Sequence, residues 1–285
     1  MLDMAILAGE LRRARNGAID QKGSIHDDAT ASKLGFRGGT VAGSVHMDQF
    51  PPLLLRVFGP AFFETGALSL YFQNATVDRE AVRAYAEEPA PGESQMRVFM
   101  TRDDGLEVCE GTASLGDATR SALRTRDLRG SDPAELRILA ELEPGMDLGS
   151  EKVSLDVERQ RRRGARDLCS GPLDWYTGPS PWGGPIAAPS AAVELLWAAP
   201  TRALREHTGR AVGLFGAIEI AHLAGPIRMD ATYSVSARVV AVGQSPKTEY
   251  LWFDSLAADE RGREVAAMRM LLRFMKASSP RWAAH

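Results

Sequence analysis

The pattern of apolar and polar positions passes through the same change of period twice. Residues 4–15 place Ile6, Leu7 and Leu11 on one side, which predicts a short amphipathic helix. Asn16 to Ser24 reads as a loop. Asp28 is placed to cap a short helix over Ala29–Leu34, which Gly35 ends. Phe36–Gly39 reads as a turn, and Val41–Phe58 as a longer apolar helix that Pro51-Pro52 must kink or break. After Gly66 the period drops to two. Leu68, Leu70 and Phe72 alternate with Ser69, Tyr71 and Gln73, which predicts a strand. Val82–Glu87, Gln95–Thr101 and Glu107–Leu115 read as further strands, with Asp103-Asp104-Gly105 as a hairpin turn.

The second half repeats that order. Residues 116–150, rich in Gly, Asp, Arg and Pro, read as the connection. Lys152–Val157 reads as a strand, and Ser190–His207, carrying Val193, Leu195, Leu196 and Leu204, as a helix. Strands follow at Ala217–Leu223, Ala231–Val242, Thr248–Ala257 and Glu264–Phe274, with Asp259–Gly262 as the last turn. The expected organisation is an N-terminal half over 1–130, a connection over 131–150 and a C-terminal half over 151–285. Local sequence supports a duplication: Gly35-Phe36-Arg37-Gly38-Gly39-Thr40-Val41-Ala42-Gly43-Ser44 is echoed by Ser180-Pro181-Trp182-Gly183-Gly184-Pro185-Ile186-Ala187-Ala188-Pro189-Ser190. A weak echo of this kind signals two copies of one supersecondary unit. A helix laid across a curved antiparallel sheet buries the apolar surface of both, so the expected class is α+β in two pseudo-symmetric halves. Joining the two sheets edge to edge would remove two open edges.

Composition narrows the function. The chain has 285 residues, 44% hydrophobic and 25% charged, enough for a core in each half. A net charge of −3 and a pI of about 6.0 predict no nucleic-acid surface, and Arg161-Arg162-Arg163 reads as a solvated face. Cys109 and Cys169 make neither a disulfide framework nor a zinc site, which fits a reducing cytoplasm. Met1–Arg15 lacks the order of a signal peptide, and no apolar run is long enough to span a membrane. Gly38-Gly39 lacks the GxGxxG context of a nucleotide loop, and no His or Cys pair has ligand spacing, so neither cofactor nor metal is expected.

The stretch Ser24-Ile25-His26-Asp27-Asp28, then Gly38 to Gly43, resembles the motif region of the MaoC-like (R)-specific enoyl-CoA hydratases and dehydratases. That family shows Asp-x-Asn-Pro-x-His followed by a glycine that opens a central helix. The resemblance implies a double hotdog, in which each sheet wraps a helix, and a small-molecule substrate such as a CoA or carrier-protein thioester. Two halves in one chain already make the unit that other hotdogs form by dimerising, and a homodimer stays open. The match departs from the family at the family's asparagine and proline, where Ser24 and Gly23 stand. The family's aspartate falls at Gln21, with Asp20 one residue upstream. A second resemblance, to the hydroxyacyl-carrier-protein dehydratases, places an acid on the central helix at Asp48. Leu34 stands where those enzymes have histidine.

Elimination of a β-hydroxyl from a thioester needs a base for the α-proton, an acid for the leaving hydroxyl and a donor for the enolate oxygen. His26 is the expected base or acid, with Asp48 or Asp20 as its partner and the Gly43–Ser44 amides as the donor. His46 is a further candidate, although it lies two positions from Asp48, which turns the two to different helix faces. His207 and His222 read as structural or exposed. Asp254 and Glu249 read equally as pocket-lining or solvated. The second half offers Gly171, Pro172 and Asp174 where the first has His26, so one site per chain is expected. A thioesterase using Asp48, and a non-catalytic hotdog binding an acyl-CoA or another apolar ligand, remain as alternatives.

Overall fold

The computed structural model describes residues 5–283. The first half contains β1 (Ile6–Ala8), β2 (Arg12–Arg13), α1 (Asp28–Lys33), α2 (Gly43–Met47), α3 (Pro51–Phe58) and α4 (Phe62–Thr65), then β3 (Gly66–Phe72), β4 (Ala81–Glu87), β5 (Gln95–Arg102) and β6 (Glu107–Leu115). The second contains β7 (Asp147–Ser154), α5 (Val157–Ala165), α6 (Pro189–Leu196) and α7 (Ala198–Thr208), then β8 (Gly213–His222), β9 (Thr232–Gln244), β10 (Thr248–Ala258) and β11 (Glu264–Met275).

All the strands form one sheet in the order β1-β4-β5-β6-β3-β8-β11-β10-β9-β7, with β2 also on β4. The order is the same read outward from the centre in either half. The halves meet edge to edge where β3 pairs antiparallel with β8, from Ala67↔Ala221 to Tyr71↔Ala217. Backbone strain repeats too: Arg79 (φ 58°) and Asp230 (φ 55°) both sit in left-handed geometry just before β4 and β9. Each half wraps a helix in antiparallel strands, so the chain is an α+β double hotdog.

Period-two alternation makes the long strands. Along β9, Tyr233, Val235, Ala237 and Val239 are buried while Ser234, Ser236 and Arg238 are exposed. The concave face receives Met47, Phe50, Leu53 and Leu54 from the first half and Val193, Leu195 and Leu196 from the second. Each such side chain contributes about 1.5–3 kcal/mol by leaving water.

Several expectations need correction. The segment expected as a helix over 4–15 forms β1 and β2, and Met4 lies outside the described residues. Its few apolar positions suit either period, and the open edge of β4 supplies hydrogen-bond partners that a short isolated helix lacks. Asp27, not Asp28, caps α1, accepting from Thr30 N–H at 3.2 Å. Asp28 accepts instead from Gly39 N–H at 2.7 Å. The helix expected over 41–58 is two helices, with Pro51 and Pro52 in the first turn of α3, where a missing N–H costs nothing. The helix over 190–207 likewise breaks at Trp197. The second-half strand expected at Lys152–Val157 spans Asp147–Ser154 and gives way to α5.

The connecting segment is packed against both sides of the sheet. On the outer face, Leu123 is fully buried against Ala217, Ala241, Trp252 and Leu271. Its N–H donates to Ser69 Oγ at 3.1 Å, while Arg124 pairs with Glu219 at 2.7 Å and Asp254 at 3.2 Å. On the inner side, the buried Glu249 accepts from the N–H groups of Arg137, Ile138 and Leu139 at 2.8–2.9 Å. Asp254 and Glu249, expected as pocket-lining or solvated, therefore both hold the connection in place.

Candidate active site

A cavity of about 1130 Å³ opens where α2, the end of β3 and the start of β8 come together. His26 lines it. The loop before α1 is built to hold this residue: His26 N–H donates to Ser24 Oγ at 3.2 Å, and Asn16 Nδ2 donates to the His26 carbonyl at 2.8 Å. Gly39 lies directly against that carbonyl, where a Cβ would stand 2.1 Å from the oxygen, so only glycine permits the approach. The approach brings the Thr40 carbonyl to His26 Nδ1 at 2.7 Å. A carbonyl can only accept, so Nδ1 carries the proton, and in the neutral ring Nε2 keeps its lone pair. Nε2 has no hydrogen-bond partner among the described residues and is not sealed from solvent.

His46, from α2, lines the same cavity. Its Nε2 lies 2.6 Å from Thr76 Oγ1, and its Nδ1 is buried without a partner. Burial lowers its pKa to about 4, with Glu80 opposing weakly, so the ring is neutral near pH 7. Gly43 also lines the cavity. The Phe72 ring packs on it so tightly that a Cβ would stand 2.6 Å from Cζ. Ser44 is buried beside it but does not reach the cavity.

Neither expected carboxylate is brought to His26. Asp48 ends α2 and turns towards α6, because the two central helices pack together at the junction of the halves. Its fully buried carboxylate accepts from Ser190 N–H and Ser190 Oγ, both at 2.8 Å, at the start of α6. Burial raises its pKa to about 6 against those hydrogen bonds. Asp20 is exposed in the loop, away from the cavity, and so is Gln21. The carboxylate among the described lining residues is Glu110, held by Arg97 at 3.4 Å and Gln73 at 3.1 Å. His207 is tied to Glu141 at 2.8 Å, and His222 is buried beside Phe62 and Phe63.

Among its described residues, the second half does not repeat the His26, Gly43 and His46 constellation. Matching hydrogen bonds, Val41 N–H to Thr76 O and Ala187 N–H to Ile227 O, fix the correspondence of the halves. Pro189 then takes the place of Gly43, Ala192 that of His46 and Ile227 that of Thr76. Proline removes a donor and the other two remove the polar pair. The corresponding space, lined by Phe62, Phe63, Pro189, Ala192 and His222, shrinks to about 10 Å³. The repeat legible in the sequence pointed to this asymmetry, but the Pro189 and Ala192 correspondence emerges only from the paired bonds.

No family model matches the chain, and no curated protein matches it. Solved structures do. The chain is similar to a MaoC domain dehydratase from Chloroflexus aurantiacus, with 11% identity, a TM-score of 0.62 and coverage of 95% of each chain. It is also similar to a conserved protein from Mycobacterium tuberculosis described as a double hotdog, with 13% identity, a TM-score of 0.65 and coverage of 96% and 97%. A MaoC-like dehydratase covers 94% of this chain and 97% of its own, with 12% identity and a TM-score of 0.55. At these identities the likeness establishes the double hotdog fold.

Proposed function

We propose that the chain is a cofactor-independent lyase of the hydratase and dehydratase type, acting on an acyl thioester carried by CoA or a carrier protein. The observation that carries this reading is His26, whose proton is fixed on Nδ1 by the Thr40 carbonyl while Nε2 stays free at the cavity. In the dehydration direction, Nε2 takes the α-proton of a β-hydroxyacyl thioester, and the pair of electrons left behind moves into the enolate. Thr40 O stabilises the imidazolium through Nδ1–H. The same Nε2 proton then passes to the β-hydroxyl, which leaves as water while the double bond forms. A single histidine thus serves as base and acid, which suits a site where no carboxylate stands beside it. The Gly43 N–H at the cavity wall is the proposed donor to the thioester oxygen. The neutral His46 stays uncharged near pH 7 and keeps that wall from carrying a second positive charge.

The want of a carboxylate beside His26 favours a second reading, a non-catalytic thioester binder. A thioesterase would need a carboxylate on the central helix or opposite it; Asp48, named for that role, is committed to Ser190. Hydration of crotonyl-CoA, followed by loss of enoyl absorbance, separates the readings. His26→Gln should lower kcat by about 10²–10⁴-fold with an unchanged melting temperature. Full turnover by a well-folded His26→Gln protein would end the catalytic assignment.

A further inference from the structure

The cavity lining also includes three cations remote in sequence from the histidines. Arg126 comes from the connecting segment on the outer face, Arg273 from β11 and Lys247 from the turn between β9 and β10; all three line the cavity. Both guanidinium groups gather on one ring. Arg126 Cζ lies 4.2 Å from the centroid of Tyr71, and Arg273 Cζ 5.7 Å from it, while Arg273 also donates to the Tyr71 hydroxyl. Gly216 makes room for this, since a Cβ there would stand 2.7 Å from Arg273 Nε.

Among the described residues, none of the three has a carboxylate within 4.0 Å, whereas Arg97, Arg124 and Arg269 are neutralised. Arg97 is held by Glu87 at 2.9 Å and Glu110 at 3.4 Å, Arg124 by Glu219 at 2.7 Å, and Arg269 by Asp254 at 2.8 Å. Gathering unpaired like charges at one wall of a chain whose net charge is −3 costs Coulomb energy in the free protein. A polyanion seated between them turns that cost into attraction, and guanidinium forks match phosphate oxygens in pairs.

We infer that Arg126, Arg273 and Lys247 form a phosphate-binding end of the cavity, which holds the phosphorylated handle of the thioester while the acyl end reaches His26. The inference rests on the thioester reading for the identity of the ligand but not for the existence of the anion site. The shared chemistry is a phosphorylated pantetheine, supplied either by CoA or by the prosthetic group of a carrier protein.

Calorimetric titration tests it without turnover. Wild-type protein should bind CoA at least tenfold more tightly than unphosphorylated pantetheine. Arg126→Gln combined with Arg273→Gln should weaken CoA by at least tenfold, since one charge-assisted hydrogen bond is worth about 10–100-fold. Arg202→Gln, the same single-charge change as Arg126→Gln but at an exposed position of α7, should shift the Kd less than twofold. Because Arg126 is exposed, Arg126→Gln alone reports the effect even if substitution at Arg273 impairs folding. CoA binding tighter than 4′-phosphopantetheine assigns the site to CoA; equal binding assigns it to the carrier-protein group. Binding of inorganic pyrophosphate that depends on Arg126 and Arg273, without any CoA binding, keeps the anion site and overturns the thioester reading. Unchanged CoA affinity in the folded variants, or pantetheine bound as tightly as CoA, overturns the inference.

Discussion

Asp48 divides a structural from a catalytic account of the central helix. Its pKa is raised from 3.8 to about 6, chiefly by burial. A rise of that size corresponds to about 3 kcal/mol of preference for the protonated form in the folded protein. The sign follows from linkage. A raised folded pKa means that the group's contribution is fully present below pH 3.8 and is lost as pH rises through about 6. Between pH 5 and pH 8 the loss should be about 1 kcal/mol. Asn at this position keeps an acceptor for Ser190 N–H and offers its NH₂ to Ser190 Oγ, yet does not titrate. Asp48→Asn should therefore gain on wild type by about 1 kcal/mol between pH 5 and pH 8. Asp48→Ala strands both Ser190 donors in the core and should cost about 2–5 kcal/mol at either pH. Urea unfolding of the three proteins measures these differences. The comparison must be between variants, because His46 and His222 impose their own acid dependence. Turnover of crotonyl-CoA by Asp48→Asn should stay within a few-fold of wild type. A hundredfold loss of kcat with unchanged stability would refute the structural assignment and restore Asp48 as a catalytic partner.

Burial depresses His46 and His222 from 6.5 to about 4, so their contribution is present above pH 6.5 and lost as pH falls through about 4; His222→Leu should flatten the acid limb of a melting-temperature profile. Gly39→Ala should push His26 out of register with Thr40, lowering kcat and melting temperature together, because its Cβ would stand 2.1 Å from a carbonyl oxygen. Gly43→Ala should slow turnover by crowding Phe72, and Phe72→Leu in the same protein should restore part of the rate. Titration with a tight substrate analogue should give one site per chain, since Pro189, Ala192 and Ile227 leave the second half about 10 Å³.

Much of this molecule is legible as a string. Alternation at 68–72 and 233–239 determines strands, because successive side chains of a strand point to opposite faces of the sheet. The echo of Gly35–Ser44 in 180–190 determines that the supersecondary unit occurs twice, and the imidazole at 26 has no counterpart in the second half, which is why the first half is the one proposed to carry the site. Short segments were not determined locally: residues 6–13 are strands only because β4 presents an open edge. The direction of a polar side chain on a buried helix is likewise a property of packing. His46 and Asp48 read as equal candidates, yet α6 lies against one and the cavity against the other. Arg126, Lys247 and Arg273 carry no shared signal in sequence. Only the closing of two sheets into one, with the connecting segment strapped across the outer face, brings them to a common wall, because electrostatic neighbours are chosen by the fold and not by the spacing of residues along the chain.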